Sequence, residues 1–214
     1  CETSVPAERP GARCPHDAVV LVPPQIHADF QGDPFLGQVL AGKYALFSVI
    51  GKGGFGAVYK AVQEPVDRVV AVKLIRRDIA HRAGVRDRFY REARVVARIN
   101  HPGAVTLFDY GEDDGVLYMV FEYVEGVPLS KAIQRAGGPM VPERAGLIAR
   151  HLLDALAEAH AQGAVHRDLK PENIMLVAGR DGAERVKVLD FGIAKVMSDG
   201  GDDDTLTGAD VVLG

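Results

Sequence analysis

Short β-prone runs separated by turn-forming residues dominate the first half of the chain. Three runs in close succession predict strands over residues 44–50, 57–62 and 68–75, because β-branched and aromatic residues bounded by turn residues are typical of strands. Two further runs predict strands over residues 105–110 and 116–124. We therefore expect a five-stranded sheet, with a hairpin at the glycine-rich turn between its first two strands.

Apolar residues at helical spacing predict one helix between these strands and a longer one after them. The first covers residues 84–99. The second begins at Pro142, which suits the first turn of a helix, and ends at Gly163. Its predicted apolar stripe consists of Ala145, Ile148, Leu152, Leu153, Leu156 and Ala159. Residues 174–177 and 185–189 then predict a small hairpin.

These patterns divide the chain into three regions. Residues 1–36 are rich in proline and polar residues without a sustained period, so we expect a linker there. Residues 37–125 carry the sheet and one helix. Residues 126–214 carry the long helix and the small hairpin. The order predicts an α+β fold with a sheet-rich first part and a helical second part.

Charge and composition exclude some function classes. Lys and Arg number 25 against 29 Asp and Glu, a formal charge of −4, so no basic field indicates nucleic acid as a partner. The apolar runs are far shorter than the roughly 18 residues of a membrane span, and no signal peptide is visible. The two cysteines, Cys1 and Cys14, lie in the first region. Their absence elsewhere is expected of a reducing, cytoplasmic compartment.

The glycines of the first hairpin have the spacing of a phosphate-binding loop. Gly51, Gly53 and Gly56 form the pattern GxGxxG, in which backbone amides approach a phosphate without an intervening side chain. Dinucleotide-binding folds share this pattern, but there the last glycine opens a helix. Here residues 57–62 continue as a strand. Taken alone, the glycines are also compatible with a tight turn that binds nothing.

A lysine lies in the apolar third strand, just after the glycine hairpin. Lys73 ends the run Val-Ala-Val-Lys at residues 70–73, and a cation in such a strand either extends to solvent or meets an anion. Its position after the glycines favours ATP phosphates as that anion. Glu92, on the following predicted helix, is the natural counter-charge.

The strongest chemical signal is the run His-Arg-Asp-Leu-Lys-Pro-Glu-Asn at residues 166–173, followed by Asp-Phe-Gly from Asp190. It brings Asp168, Lys170 and Asn173 into one loop and adds a second carboxylate after a hairpin. Phosphoryl transfer uses these groups: an acid that orients a hydroxyl, a cation near the moving phosphoryl group, and oxygen ligands for Mg²⁺.

With these motifs in place, residues 37–214 resemble the eukaryotic-type Ser/Thr protein kinases, most closely those of bacteria. The resemblance implies the two-lobed kinase fold, an N-lobe of five strands and one helix, and an incomplete C-lobe. It implies transfer of the γ-phosphoryl group of ATP to Ser or Thr hydroxyls of protein substrates, with Mg²⁺. A kinase dimer that phosphorylates itself in trans is a further expectation.

The resemblance also implies a role for each matching residue. The three hairpin glycines would cover the ATP phosphates, and Lys73 would hold the α- and β-phosphates and pair with Glu92. Asp168 would act as base, Lys170 would contact the γ-phosphate and favour Ser/Thr specificity, and Asn173 and Asp190 would bind Mg²⁺. The adenine site would comprise the hinge residues Glu122 and Val124, the gatekeeper Phe121, and Val58, Ala71 and Met175 around the ring. The hydrophobic stack that links the lobes would comprise Val96, His166 and Phe191.

The match stops at Gly214, before the family's peptide-binding segments. We therefore expect a fragment that is inactive by itself, and membrane anchoring by a missing segment stays open. A non-catalytic ATP-binding scaffold is the main alternative for the fragment, and a small-molecule phosphotransferase of kinase-like fold is another. The resemblance also implies activation by phosphorylation of the following loop, because the family couples an arginine directly before the catalytic aspartate, here Arg167, to that switch. The candidate positions there are Thr207, then Thr205, with Ser198 less favoured.

The first region contains some of the ligands of a zinc site, but not a complete set. Cys14 and His16 resemble one knuckle of a zinc ribbon, and Cys1 would be the remnant of the other. Tetrahedral zinc needs four ligands, whereas these residues supply three. A disordered linker with incidental cysteines is therefore the favoured interpretation.

Overall fold

The computed structural model describes residues 11–14, 19–179 and 181–191 of the chain. These residues belong to two compact units. Of the described residues, the first unit comprises those up to His81 together with Asp109–Tyr123, and the second comprises Arg82–Phe108 and those from Val124 to Phe191. The helix predicted between the strands thus groups with the second unit. The region boundaries at residues 36 and 125 stay predictions.

The first unit is built on a six-stranded sheet. Its strands follow the order β1-β2-β3-β4-β6-β5, and β1–β2, β2–β3, β3–β4 and β4–β6 pair antiparallel. The strands are β1 Val39–Leu40, β2 Tyr44–Gly53, β3 Gly56–Gln63, β4 Arg68–Ile75, β5 Leu107–Asp113 and β6 Val116–Glu122. Two short helices accompany them, α1 Pro24–Asp29 and α2 Arg77–Ala80. The five predicted strands are confirmed. The added strand, β1, has two residues and so carries no alternating pattern.

Residues 11–14 and 19–36, here called the N-terminal segment, pack on the sheet instead of forming the expected linker. Val20 is buried in a cluster with Ala45, Phe47 and Val62. On the other side, Phe30, Phe35 and Leu36 pack against the main core of the unit, which includes Tyr44, Leu46, Tyr59, Val70 and Val72. Successive side chains of a strand point to opposite faces, so the segment contacts both faces of the sheet. Apolar residues without a regular period supply these contacts, which is why the sequence pattern did not predict them.

The second unit combines helices with a small antiparallel sheet. Its elements are α3 Val85–Val96, β7 Val127–Pro128, α4 Leu129–Ala136, α5 Pro142–Ala161, a 3-10 helix Pro171–Asn173, β8 Ile174–Ala178 and β9 Glu184–Val188. The three strands pair in the order β7-β8-β9. The predicted small hairpin, β8 and β9, is confirmed, whereas α4 and β7 were missed. Within the described residues, no helix is long and apolar enough to cross a membrane.

The long helix α5 buries a face that differs in part from the predicted stripe. The residues on the buried face are Ile148, Ala155 and Ala159, with Leu152 and Leu156 partly buried. Leu153 is 63% exposed, and Ala145 is exposed as well. Each residue of an α-helix advances by about 100°, so the neighbours Leu152 and Leu153 cannot share one narrow face. This rotation explains why the prediction was wrong for Leu153. Ala145, in the first turn of the helix, lies on the side of Leu152 and Leu156 but is exposed.

Candidate functional site

The glycine hairpin connects β2 to β3 within the first unit. Gly51 and Gly53 belong to the end of β2, and Gly56 is the first residue of β3. Gly51 is paired with Val58, and Gly53 with Gly56, so only Gly54 and Phe55 form the turn. This geometry agrees with the sequence interpretation that the glycines cap a hairpin of strands and do not open a helix.

Two glycines of this hairpin differ sharply in the space around them. A Cβ atom at Gly56 would lie 1.9 Å from the carbonyl oxygen of Leu74, a backbone atom of β4. A Cβ atom at Gly54 would meet nothing within 4 Å. Close approach of neighbouring backbone therefore requires glycine at position 56, whereas the tip tolerates a side chain.

We expect Gly56→Ala to destabilise the first unit, because its Cβ clashes with backbone that cannot move without breaking the β3–β4 register. Overpacking of this kind costs roughly 1–3 kcal/mol. The matched control, Gly54→Ala, should change the free energy of unfolding by no more than about 0.5 kcal/mol. Thermal unfolding of both variants checks this expectation, and equal stability of the two would contradict it.

Lys73 and two of the predicted adenine-contacting residues lie on one face of the sheet. Lys73 in β4 is paired with Val58 in β3, and Ala71 is paired with Phe121 in β6. Residues directly opposite each other in an antiparallel pair point to the same side, as do positions i and i+2 of one strand. Val58, Ala71 and Lys73 therefore share one face, opposite the one that carries the buried Tyr59 and Val72 of the core.

The predicted hinge lies where β6 ends. Glu122 is the last residue of β6, and its strand neighbour Phe121 is 6% exposed. Val124 lies two residues further on, outside the strand. The strand therefore ends two residues before its predicted end at residue 124. The adenine contacts assigned to Glu122 and Val124 stay predictions.

The catalytic-loop residues are held together by short polar contacts in the second unit. Nζ of Lys170 lies 2.9 Å from Oδ2 of Asp168. Nδ2 of Asn173 donates a hydrogen bond of 2.7 Å to the Asp168 carbonyl oxygen and a longer one, 3.2 Å, to Oδ2 of the same residue. Lys170 and Asn173 thus both contact the Asp168 carboxylate. The catalytic roles assigned to these residues stay predictions.

The three side chains of this cluster differ in burial. The side chains of Asp168 and Lys170 are 48% and 47% exposed, and exposed ion pairs contribute little to stability. Asn173 is buried, and its backbone accepts a hydrogen bond of 2.8 Å from the amide of Leu189. The buried Asn173 therefore stabilises the loop conformation through its hydrogen bonds, while the Asp168 carboxylate and the Lys170 ammonium group stay accessible to solvent.

The residues around Asp190 have an unusual backbone and a buried support. Asp190 and Arg167 adopt the left-handed conformation, with φ of 58° and 64°. Non-glycine residues rarely adopt it, and such strain is concentrated at functional sites. Nε2 of His166 donates a hydrogen bond of 2.6 Å to the Leu189 carbonyl oxygen, and the rings of His166 and Phe191 are 5.0 Å apart. His166 thus contacts both sequence neighbours of Asp190, Leu189 and Phe191, and these contacts stabilise the strained backbone at Asp190.

Two other predicted site residues lie in the second unit. Glu92 is partly buried in α3, and Met175 lies in β8, paired with Lys187 of β9. Lys73 belongs to the first unit and Glu92 to the second, so their ion pair stays a prediction.

The oxygen ligands proposed for Mg²⁺ have the chemistry that the ion requires. Because the Asn173 amide nitrogen donates to Asp168, its side-chain oxygen is the atom that would act as a ligand. Asp190 would supply a carboxylate oxygen. Magnesium is usually bound by one or two such protein groups together with phosphates and water. Within the described residues, no group of three His, Cys, Asp or Glu side chains forms a metal site.

The zinc hypothesis concerns residues that are only partly described. Cys14 is 4% exposed, and its amide donates a hydrogen bond of 2.8 Å to the carbonyl oxygen of Val19. Cys1 and His16 lie outside the described residues, as do the candidate phosphorylation positions Ser198, Thr205 and Thr207.

One residue of the glycine hairpin escaped the sequence analysis. Lys52, between Gly51 and Gly53, lies 2.7 Å from the Asp33 carboxylate. No motif signals this pair, because a lysine between glycines is ordinarily a solvated side chain.

Comparisons with known proteins agree with the motifs. Residues 44–211 match the protein kinase domain family. The chain is 40% identical over 183 residues to the serine/threonine-protein kinase pkn3 of Myxococcus xanthus, covering 85% of the chain and 33% of that protein. It is 40% identical over 179 residues to the serine/threonine-protein kinase PrkC of Bacillus subtilis, covering 84% of the chain and 26% of that protein. The chain thus spans a third or less of the length of these relatives.

Solved structures give the same result for the fold. The crystal structure of the Mycobacterium tuberculosis PknI kinase domain superposes with a TM-score of 0.62 at 30% sequence identity. The match covers 78% of this chain and 69% of that one.

Proposed function

The chain belongs to the protein kinase domain family, and from this premise we propose that the protein transfers the γ-phosphoryl group of ATP to Ser or Thr hydroxyls of protein substrates. The relatives at 40% identity are named serine/threonine-protein kinases. Because the chain covers only part of them, its activity, substrates and partners are inferred from its own site residues together with the family.

The observation that carries the proposal is the accessible Asp168 carboxylate with Lys170 at 2.9 Å and the buried Asn173 amide behind it. A substrate hydroxyl would donate its proton toward Asp168 while its oxygen attacks the γ-phosphorus, and ADP would leave with the bridging oxygen. Lys170 would stabilise the negative charge on the phosphoryl oxygens. Positioning and charge stabilisation of this kind account for most of the catalysis of phosphoryl transfer.

The remaining residues would bind the nucleotide and its metal. Amides of the glycine hairpin and the Lys73 ammonium group would bind the phosphates, and Asn173 and Asp190 would hold Mg²⁺. When bound, Mg²⁺ would neutralise phosphate charge. The adenine ring would lie against Val58, Ala71 and Met175, with its polar edge at the backbone of Glu122 and Val124.

Four finer assignments belong to the same proposal. The Lys73–Glu92 ion pair would fix the phosphate-binding lysine. Lys170 favours Ser and Thr over Tyr as acceptors, by resemblance to the family. A cytoplasmic location and a dimer that phosphorylates itself in trans are the corresponding proposals for the whole protein.

We expect the complete protein to phosphorylate a Ser/Thr peptide but not a matched Tyr peptide when supplied with radiolabelled ATP and Mg²⁺. Chelation of divalent ions should reduce the transfer by at least about a hundredfold, because phosphate charge would then repel the nucleophile. Excess Mg²⁺ should restore it. Transfer that survives chelation would contradict the assigned metal ligands, and nucleotide binding without any transfer would indicate the scaffold alternative.

A further inference from the structure

The carboxylate of Asp33 is almost completely buried beneath the glycine hairpin. Its side chain is 1% exposed, and it accepts hydrogen bonds of 3.0 Å from the amides of Phe35 and Leu36. The hydroxyl of Tyr59 lies 3.0 Å from both of its oxygens. Buried charges are costly unless paired and hydrogen-bonded, so this dense set of partners fixes the carboxylate in one position.

Lys52 is the partner that connects this buried carboxylate to the hairpin. Its Nζ lies 2.7 Å from Oδ2 of Asp33 and 5.2 Å from the centre of the Phe30 ring. The Lys52 side chain is 48% exposed, whereas the carboxylate that it contacts is buried. The ion pair therefore joins a half-exposed side chain of the hairpin to a fixed, buried group. In the hairpin it is paired with Ala57 and flanked by Gly51 and Gly53.

The protonation state of Asp33 agrees with this geometry. Burial by itself raises the pKa of its carboxyl group, but the hydrogen bonds from Lys52, from the two backbone amides and from Tyr59 outweigh that effect. The pKa of Asp33 therefore lies below its ordinary value, and the group is an anion at neutral pH.

We propose that Asp33 is a positioning residue for the phosphate-binding hairpin, acting through Lys52 to hold the backbone of Gly51 and Gly53. Glycines provide close approach to phosphate but leave the backbone mobile. A hairpin held in place before the nucleotide arrives loses less conformational freedom on binding. The N-terminal segment thereby sets the affinity for ATP. This inference rests on the proposed function, because it assigns the hairpin to the phosphates of ATP.

The test compares Asp33→Asn and Lys52→Met in the complete protein by amide hydrogen exchange of residues 48–58 and by titration with a fluorescent ATP analogue. Each variant should accelerate exchange in the hairpin and weaken nucleotide binding about threefold to tenfold, the size expected for loss of a partly buried charge-assisted contact. The double variant should be no worse than either single one, because both act through one contact. In steady-state kinetics, the KM for ATP should rise by a larger factor than the one by which turnover at saturating ATP falls.

Two further variants separate positioning from general stabilisation. Lys52→Arg keeps the charge and should retain slow exchange and tight binding. Arg13→Met removes another ion pair of the N-terminal segment, the one with Glu64 at 2.7 Å, which does not involve the glycine hairpin. It should leave exchange in the hairpin and nucleotide affinity unchanged.

Hairpin exchange at the wild-type rate in Lys52→Met would overturn the proposal, as would an equal effect of Arg13→Met. Because Lys52 is half-exposed, Lys52→Met should fold. The Lys52→Met measurement therefore remains informative even if Asp33→Asn unfolds the protein. If the wild-type protein binds no nucleotide, the proposed function fails, while the exchange measurement still decides whether Asp33 holds the hairpin.

Discussion

Replacement of Lys73 by methionine, or of Asp190 by asparagine, is expected to abolish phosphoryl transfer in the complete protein. The first change removes the cation assigned to the phosphates, and the second removes a charge assigned to Mg²⁺. Loss of one such preorganised charge costs about a hundredfold to a thousandfold in rate. Transfer of radiolabelled phosphate to a Ser/Thr peptide should fall to the background of the assay.

Two exposed positions provide matched controls for these charge changes. Lys43→Met and Asp154→Asn remove the same charges from exposed residues, one in the turn before β2 and one on α5. Both controls should keep wild-type transfer, and all four proteins should show cooperative unfolding. Wild-type activity in Lys73→Met or Asp190→Asn would refute the assignment of these residues to the nucleotide and its metal.

The second large effect is expected at the base position. Asp168→Asn should lower turnover by about a hundredfold to ten-thousandfold, the usual contribution of a positioned acid or base. An amide retains the shape of the carboxylate but carries no negative charge to accept the hydroxyl proton. Nucleotide affinity, measured by titration with a fluorescent ATP analogue, should change little.

The separation between turnover and binding makes this result diagnostic. Lys73→Met should weaken both, whereas Asp168→Asn should weaken turnover alone. Because Asn173 donates to the backbone carbonyl of residue 168, the loop should keep its conformation in this variant. A large loss of nucleotide affinity in Asp168→Asn would mean that the residue binds the nucleotide and is not the base.

The motifs of the candidate site were predictable from the sequence, because each depends on residue identity and short spacing along the chain. The GxGxxG hairpin, Lys73 and the run of residues 166–173 are each contained within a few positions. The five main strands were predictable for the same reason, since a run of β-branched and aromatic residues bounded by turn residues is a local property. The two-residue strand β1 is too brief to show a period and was missed. The helix α4 was also missed, although Leu129, Ala132, Ile133 and Ala136 have helical spacing.

What only the tertiary structure decided is how distant residues meet. The N-terminal segment lacks any period, yet its apolar residues cover both faces of the sheet. Leu153 matched the apolar composition of α5 but points to solvent, because helical rotation assigns adjacent residues to different faces. Sequence patterns identify what each residue can do chemically. The burial of Asp33 and its contact with Lys52 required a packed sheet, because long-range packing alone determines which charges share one environment.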